Sequence, residues 1–279
     1  MLNNFCIDFK RIKRNIINSS VKYMYTNKIK AMVLGMSGGI DSTLTAALAS
    51  EVSKKLNIPL IGQSINIRSK QAEIERGLDA SKVFCTSFNH INLDHVLESM
   101  IKEYNSISEY KSDIKTLVRI GNLKARIRMT YLYDMAQHFD GLVLSTDNYT
   151  EFLLGFWTLH GDVGDFGMIQ SLWKTEVYGL TEYLMNSTKD NRKKTILKDA
   201  INAVPTDGLG ITDSDFDQIC KNVDQTRPPR DLYRYVDLVL SKHIENKFDK
   251  HTDNPIIKRH IKSNFKRNNP FNLLRTNII

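Results

Sequence analysis

The sequence predicts an α/β protein with three layers (α/β/α), in which helices cover both faces of a twisted parallel sheet with Rossmann-like, doubly wound topology. Apolar runs at 31–36, 58–67 and 141–145 each predict a buried strand, and helical segments separate them. Strands that alternate with helices form βαβ units, which build parallel sheets. The chain has 279 residues, 41% of them hydrophobic, so it can bury one large core.

The predicted elements follow from the spacing of apolar residues. Such residues recur at helical intervals from Phe9 to Met24, which predicts an amphipathic helix ahead of the first strand. The run 82–85 predicts a short additional strand. Further helices are predicted at 42–56, 71–81, 94–104 and 119–138.

The C-terminal third has a different pattern. Beyond Lys174 it is mostly helical, with a turn at 205–208 and a break at Pro228 and Pro229. We therefore expect a helical C-terminal part that packs onto the α/β core rather than a second domain. The expected organisation is a single domain over 1–279, with an N-terminal helix at 1–30, a core at 31–210 and a helical segment at 211–279.

Composition excludes several classes of protein. No run reaches the roughly 18 apolar residues of a membrane span, and the start lacks the apolar region of a secretory signal, so we expect a cytoplasmic protein without membrane contact. Three distant cysteines, Cys6, Cys85 and Cys220, provide neither a disulfide framework nor a C-x-x-C metal site. The net charge of +8 is concentrated near both ends, yet no RNA-binding motif, zinc finger or basic zipper accompanies it. A solvated surface or polyphosphate ligands explain this charge better than nucleic acid.

A Ser/Gly-rich turn follows the first predicted strand and leads into a helix. Its sequence over 37–42, Ser-Gly-Gly-Ile-Asp-Ser, brings backbone N–H groups, hydroxyls and a helix N-terminus to one place, which favours phosphate binding. A Gly-Gly pair alone is also common in plain connections. No Gly-Lys-Ser/Thr closes the turn, so it is not a P-loop, and Asp41 stands where that motif has its lysine. An acid beside bound phosphates predicts Mg²⁺.

Three cationic residues lie close together on the long helix predicted at 119–138. Lys124 and Arg128 are one helical turn apart, and Arg126 lies roughly opposite, so the three cannot share one face. We expect at least one of them to point into a site or an interface. A solvated helix face is the alternative for this segment taken alone.

Two sets of motifs resemble known families. The Ser-Gly-Gly-x-Asp-Ser turn resembles the pyrophosphate-binding loop of the N-type ATP pyrophosphatases, which have the adenine nucleotide alpha-hydrolase-like fold. The segments Gly-Asn-x-Lys-Ala-Arg-x-Arg-Met at 121–129, Thr-Asp-x-x-x-Glu at 146–151 and Gly-Phe-x-Thr-x-x-Gly-Asp-x-Gly-Asp at 155–165 closely resemble ammonia-dependent NAD synthetase. Together the motifs span about the first two thirds of the chain.

This resemblance implies a ligase that amidates deamido-NAD⁺ with ammonia, using ATP as co-substrate and Mg²⁺ as cofactor. The products would be NAD⁺, AMP and pyrophosphate, formed through an adenylated intermediate. The resemblance also implies a homodimer with the substrate site near the subunit interface. No glutaminase-like domain precedes the turn, so we expect nitrogen to come as free ammonia or from a separate partner.

The family's functional residues match named positions of this sequence. Asp162 and Lys174 are implied as catalytic residues, and Asp41 and Glu151 as Mg²⁺ ligands. The residues implied to bind ATP are Gly35, Met36, Ser37, Gly38, Gly39, Ile40, Asp41, Ser42, Thr146, Lys174 and Thr206. Those implied to bind deamido-NAD⁺ are Arg126, Leu159, Asp165, Phe265 and Lys266.

The sequence also departs from the family pattern. Leu159 replaces a lysine, Phe265 replaces a histidine, and the loop from Gly161 to Gly167 is one residue short. The acidic segment after Thr206 is compressed, so altered substrate affinity is expected. Two alternatives stay open: another N-type ATP pyrophosphatase, such as GMP synthetase or a tRNA-modifying enzyme, and a nucleotide-binding homologue with weakened catalysis. The first would share the turn at 37–42 but not the segments at 121–129 and 155–165.

Overall fold

The sheet of the computed structural model is parallel and doubly wound. The structure describes residues 7–106, 110–111, 113–206, 208–212, 214–219, 228–245 and 253–277. Within them, the strands are β1 (Met32–Gly35), β2 (Leu60–Asn66), β3 (Ser87–Asn92), β4 (Leu142–Ser145) and β5 (Phe166–Gly167), in the spatial order β3-β2-β1-β4-β5. The order reverses between β1 and β4, and ligands of such sheets bind in the crevice beyond the carboxyl ends of the strands at that point.

Helices connect the strands and form the C-terminal part. The core helices are α1 (Phe9–Thr26), α2 (Ile40–Leu56), α3 (Gln71–Phe84), α4 (Asp94–Asn105), α5 (Ile114–His138) and α6 (Tyr149–Leu154). The remaining α-helices are α7 (Lys174–Ser187), α8 (Asn191–Asn202), α9 (Asp215–Ile219), α10 (Pro229–Ile244), α11 (Pro255–Lys262) and α12 (Asn264–Arg267). A short 3-10 helix spans Arg275–Asn277.

Both faces of the sheet are buried. Successive residues of a strand point to opposite faces, so Met32 and Leu34 of β1 join one cluster of buried side chains and Val33 joins another. The first cluster includes side chains of α1, α2, α7, α8 and α10, whereas the second includes Ala136 of α5. This arrangement confirms the predicted three-layer α/β fold with a helical C-terminal part.

One predicted strand is wrong. Residues 82–85 do not form a strand: Lys82 to Phe84 are the last turn of α3, and Cys85 follows the helix. Phe84 is apolar because it packs into the core one turn after Ala80, and not because it lies in a strand. The actual strand, β3, has the sequence Ser-Phe-Asn-His-Ile-Asn and is mostly exposed at the edge of the sheet, so it lacks a buried strand's apolar run.

The other predicted elements are present with shifted ends. The helix predicted at 119–138 begins at Ile114, because the Asp113 side chain accepts a hydrogen bond from the Thr116 N–H and caps the helix. The largest buried cluster extends from Ile17 in α1 to Ile257 in α11. The division into segments at residues 30 and 210 stays a prediction.

Two expectations from composition concern membranes and thiols. In the part of the chain that the structure describes, no helix combines the length and apolar character needed to cross a membrane. Cys85 is a free, partly buried thiol whose pKa burial raises to about 12. Cys6 and Cys220 lie outside the described residues.

Candidate active site

A cavity of about 640 Å³ opens at the carboxyl ends of β1 and β4. Ser37 and Asp41 line it from the turn after β1, and Thr146 lines it from the end of β4. Cavities of several hundred Å³ are typical of sites for small molecules and cofactors. The predicted site therefore lies where a doubly wound sheet places its ligands.

The turn at 35–42, called the phosphate loop below, has the geometry of an anion site. Gly38 has a φ of +77°, which favours glycine, and Ser37 Oγ lies 3.0 Å from Ser42 Oγ. Gly39 is the N-cap of α2 and offers no side chain to the free N–H groups of the first turn, so these are available to an anion. Gly35, Met36, Ser37, Gly39, Ile40 and Asp41 line the cavity, whereas Ser42 is buried beneath it.

Helix α3 packs directly against the phosphate loop. A Cβ atom on Gly77 would lie 2.4 Å from the Met36 carbonyl oxygen, and one on Gly38 would lie 2.5 Å from the Glu73 carbonyl oxygen. The backbones can approach this closely only because residues 38 and 77 are both glycine and have no Cβ atom. The first turns of α3 therefore fix the conformation of the loop.

Lys174, Asp41 and Glu151 form a charged trio at the floor of the cavity. Lys174 Nζ lies 2.5 Å from Asp41 Oδ2 and 2.8 Å from Glu151 Oε1, and its side chain is 2% exposed. Burial alone would lower the pKa of Lys174, but the two carboxylates outweigh it and raise that pKa well above its ordinary value. Burial, with the added effect of Asp41, raises the pKa of Glu151, which Lys174 opposes. Lys174 is therefore protonated, and its charge is compensated by the carboxylates that it contacts.

The end of β4 orients the two carboxylates of the trio. Asn148 Nδ2 donates to Asp41 Oδ1 at 2.9 Å, and the Asn148 side chain accepts from the Glu151 N–H at 3.0 Å. Glu151 in turn accepts from the Asn148 N–H, which completes a capping box at the start of α6. One buried residue, Asn148, therefore donates to both carboxylates, to Asp41 from its side-chain amide and to Glu151 from its backbone N–H.

Asp237 of α10 forms hydrogen bonds with residues next to Glu151 and Lys174. Its carboxylate is buried and accepts from Thr150 Oγ1 at 2.6 Å, Thr175 Oγ1 at 2.7 Å and the Thr175 N–H at 3.0 Å. Thr150 Oγ1 also accepts from the Lys174 N–H at 2.9 Å. Burial raises the pKa of Asp237, whereas these donors oppose the shift. Helix α10 is thus hydrogen-bonded to Thr150 and Thr175, which lie beside Glu151 and Lys174 in the sequence.

Replacement of Asp237 by alanine is expected to lower the free energy of unfolding by about 2–4 kcal/mol, because buried donors lose their acceptor. Urea denaturation measures this change. Asp231→Ala, in the exposed Asp231–Arg234 ion pair of the same helix, is the control and is expected to change stability by less than about 1 kcal/mol. An Asp237→Ala variant as stable as the control would show that the network contributes little.

Three further predicted site residues line the same cavity. Asp162 accepts a hydrogen bond from the Thr158 N–H at 2.6 Å, and burial raises its pKa. Lys266 donates to the carbonyl oxygens of Gly155, at 2.7 Å, and Trp157. Thr206 donates to Glu73 Oε1 at 3.0 Å. The structure thus brings Asp162, Lys266 and Thr206 to the same cavity as the trio.

Four predicted substrate contacts do not line this cavity. Arg126 is exposed and donates to the Leu159 carbonyl oxygen at 3.3 Å. Asp165 accepts from Tyr133 Oη at 3.0 Å and from the Val143 N–H at 2.9 Å, and Phe265 is 63% exposed. Both carboxylate oxygens of Asp165 therefore accept hydrogen bonds from within the protein. The roles of Arg126, Leu159, Asp165 and Phe265 toward substrate stay predictions.

On α5, Arg128 lines the cavity whereas Arg126 does not. Arg128 donates to Ser69 Oγ at 3.1 Å, and the buried Lys124 donates to the Leu209 carbonyl oxygen at 2.9 Å. The structure thus confirms that the three cations do not share one face. Lys124 and Arg128 hold the loop around 208–209 over the cavity.

Sequence reasoning missed Asp147, which lines the cavity beside Thr146. Burial raises the pKa of Asp147 to about 7, and Asp162 and Asp41 add to the effect, which Ser145 opposes. The sequence contained a signal for this role, because Asp147 directly follows Thr146 in the Thr-Asp motif at the end of a predicted strand. Asp237 has no comparable signal, because it lies far along the chain in an ordinary amphipathic helix.

Comparison with known proteins gives a consistent result. The sequence model of the NAD synthase family matches residues 12–270. The NH(3)-dependent NAD(+) synthetase of Campylobacter jejuni subsp. jejuni serotype O:6 is 31% identical over 248 residues, which cover 88% of this chain and 96% of that protein. The protein of the same name from Thermoplasma acidophilum is 31% identical over 252 residues, which cover 88% and 90% of the two chains.

Two solved structures have similar folds. NMN synthetase from Francisella tularensis has a TM-score of 0.73 and 24% identity, and the match covers 94% of this chain and 96% of that one. At that identity the likeness shows the fold alone. The NH3-dependent NAD synthetase from Campylobacter jejuni, in complex with the nitrate ion, has a TM-score of 0.67 and 26% identity, with 96% and 100% of the chains covered. Since the family match extends over nearly the whole chain, this chain belongs to the NAD synthase family.

Proposed function

We propose that the protein amidates deamido-NAD⁺ with ammonia, at the expense of ATP, and releases NAD⁺, AMP and pyrophosphate. The observation that carries this proposal is the trio of Lys174, Asp41 and Glu151, which lies beside the phosphate loop at the floor of the cavity. A loop without the P-loop lysine, combined with a buried cation and two carboxylates, suits displacement of pyrophosphate from the α-phosphorus.

In the first step, a carboxylate oxygen of the nicotinate ring bonds to the α-phosphorus and the bond between this phosphorus and the pyrophosphate oxygen breaks. The departing pyrophosphate gains negative charge. The N–H groups at the start of α2 and the protonated Lys174 stabilise this charge. Because Lys174 and the loop are fixed by buried hydrogen bonds, little reorganisation is needed as the charge moves.

Asp41 and Glu151 fit the role of Mg²⁺ ligands. Mg²⁺ is usually held by one or two carboxylates together with substrate phosphates and water, and these two carboxylates both contact the same Nζ beside the phosphate loop. Asp41 and Glu151 are thus the residues that would hold the ion, together with oxygens of the bound phosphates and water. When bound, the ion would withdraw charge from the triphosphate.

In the second step, ammonia bonds to the carbonyl carbon of the acyl adenylate and the bond from that carbon to the AMP oxygen breaks. The proton released from nitrogen needs an acceptor. Asp162 lines the cavity, and burial raises its pKa, which makes its carboxylate a stronger base. We therefore assign proton acceptance to Asp162.

Incubation of the protein with ATP, Mg²⁺, ammonium and deamido-NAD⁺ is expected to yield NAD⁺, AMP and pyrophosphate in equal amounts, which chromatography measures. Omission of ammonium is the control and is expected to stop NAD⁺ formation. ADP and phosphate in stoichiometric amounts would refute the proposed mechanism.

The same assay is to be repeated with nicotinate mononucleotide in place of deamido-NAD⁺ as the substrate that is amidated. The fold matches a structure named NMN synthetase, and Leu159 and Phe265, two of the predicted dinucleotide contacts, do not line the cavity. Nicotinate mononucleotide lacks the AMP half of deamido-NAD⁺ and would not need those contacts. A higher kcat/KM for the mononucleotide would assign it as the substrate and leave the two chemical steps unchanged.

We also retain two expectations as proposals, a homodimer and a cytoplasmic location. The start of α5 presents exposed apolar side chains of Ile114, Leu117 and Val118, which are 59%, 46% and 38% exposed. An apolar helix face of this kind suits a subunit interface.

A further inference from the structure

Arg76 of α3 lies beside the phosphate loop but belongs to none of the motifs discussed above. Its Nε donates to the Gly38 carbonyl oxygen at 3.2 Å, and the residue is half-buried. It lines the cavity together with Ser37 and Gly39. Because α3 contacts the loop through Gly77 and Glu73, the guanidinium is held at the loop by a rigid element.

The phosphate loop supplies only uncharged donors to an anion. The nearest buried cation, Lys174, is shared between Asp41 and Glu151, so its charge is already compensated within the trio. A triphosphate is itself strongly anionic, so its binding beside the trio calls for further positive charge.

Of the cationic residues that line the cavity within the described residues, Arg76 is the one that donates to the backbone of the phosphate loop. Lys266 and Arg259 donate to carbonyl oxygens at the end of α6, and Arg128 donates to Ser69 and Gly208. None of the described carboxylates forms an ion pair with Arg76. The guanidinium is thus held at the loop with no described carboxylate in an ion pair, although Asp79 and Asp199 line a small neighbouring pocket with it.

We propose that Arg76 binds the pyrophosphate portion of ATP, as the cation that this loop uses in place of a P-loop lysine. Arginine has five N–H donors in a planar fork, and the bond from Nε to Gly38 orients that fork while leaving its terminal nitrogens for phosphate oxygens. The inference rests on the proposed function only for the identity of the nucleotide.

Calorimetric titration of Arg76→Gln with ATP and, separately, with inorganic pyrophosphate tests this assignment without turnover. We expect both dissociation constants to rise about tenfold or more, because a charge-assisted contact is lost. The KM for deamido-NAD⁺ is expected to change by less than about twofold, and Arg76→Lys to give intermediate affinities. Lys82→Gln removes an exposed cation from the same helix and is the matched control, with expected affinities close to those of the parent protein.

A purely structural role for Arg76 predicts another result, namely a lower melting temperature and parallel changes in all affinities. That result, or ATP and pyrophosphate affinities of Arg76→Gln within twofold of the parent, would overturn the inference. If Arg76→Gln does not fold, Arg76→Lys decides: weakened binding of both probes at unchanged melting temperature supports the assignment, and unchanged binding overturns it. A parent protein that binds ATP through Arg76 but makes no NAD⁺ would contradict the proposed function alone.

Discussion

Asp41→Asn and Glu151→Gln are each expected to abolish turnover while leaving the fold intact. Either change removes a carboxylate from the expected Mg²⁺ site and one of the two partners of Lys174. The loss of several kcal/mol of transition-state stabilisation corresponds to a roughly thousandfold or greater fall in kcat. Steady-state rates at saturating ATP and acceptor measure the effect, and circular dichroism checks the fold.

Exposed carboxylates provide matched controls for these two variants. Asp79→Asn on α3 and Glu98→Gln on α4 change the same chemical groups where their side chains are 53% and 61% exposed. Both are expected to retain parent activity, since neither lines the cavity. Activity of Asp41→Asn or Glu151→Gln within tenfold of the parent would refute the assignment of the trio.

The parts of the site that the sequence predicted are local. The phosphate loop could be recognised because strand, turn and helix follow one another, and the loop itself consists of eight consecutive residues, Gly35 to Ser42. Thr146, Glu151 and Lys174 were likewise in motifs of fixed spacing. Such features need no knowledge of how distant segments pack.

The parts that sequence reasoning did not predict depend on packing between distant segments. Asp237 meets Thr150 across 87 positions of the chain, and Arg76 meets Gly38 across 38. The polar edge strand β3 has no apolar run, whereas the end of α3 has one because Phe84 enters the core. Hydrophobic spacing reports burial, and burial does not distinguish a helix end from a strand in a window of four residues.

Replacement of Lys174 by methionine is expected to destabilise the protein as well as inactivate it. Lys174 is 2% exposed, so methionine fills most of its volume but leaves Asp41 and Glu151, which are 18% and 16% exposed, as largely buried carboxylates without a cation. Breaking a buried ion pair on one side costs about 3–5 kcal/mol. Urea denaturation without added metal measures the loss, and Lys258→Met, in an exposed ion pair, is the control with an expected change below about 1 kcal/mol.

The destabilisation of Lys174→Met is expected to depend on pH. In the parent protein, burial and Asp41 raise the pKa of Glu151 from 4.5 to about 8, and Lys174 opposes that rise. A carboxyl whose pKa is higher in the folded state contributes stability that is fully present below the unfolded value and is lost as pH rises through the folded value. Without Lys174 the folded pKa of Glu151 rises further, so the stability deficit relative to the parent is expected to widen as pH rises through about 8, where Glu151 of the parent loses its proton and Glu151 of the variant still holds one.

Removal of the two carboxylates from the Lys174→Met protein separates the electrostatic cause from a packing defect. The triple variant Asp41→Asn, Glu151→Gln, Lys174→Met contains no buried charge in the trio, and neutral replacements of buried ion pairs are often no less stable than the original. We therefore expect it to recover most of the lost stability and to lose the pH dependence, while kcat stays at the level of the single variants. A triple variant as unstable as Lys174→Met alone would mean that the cost comes from packing around Tyr178 and Tyr233, which contact this part of the core, and not from uncompensated charge.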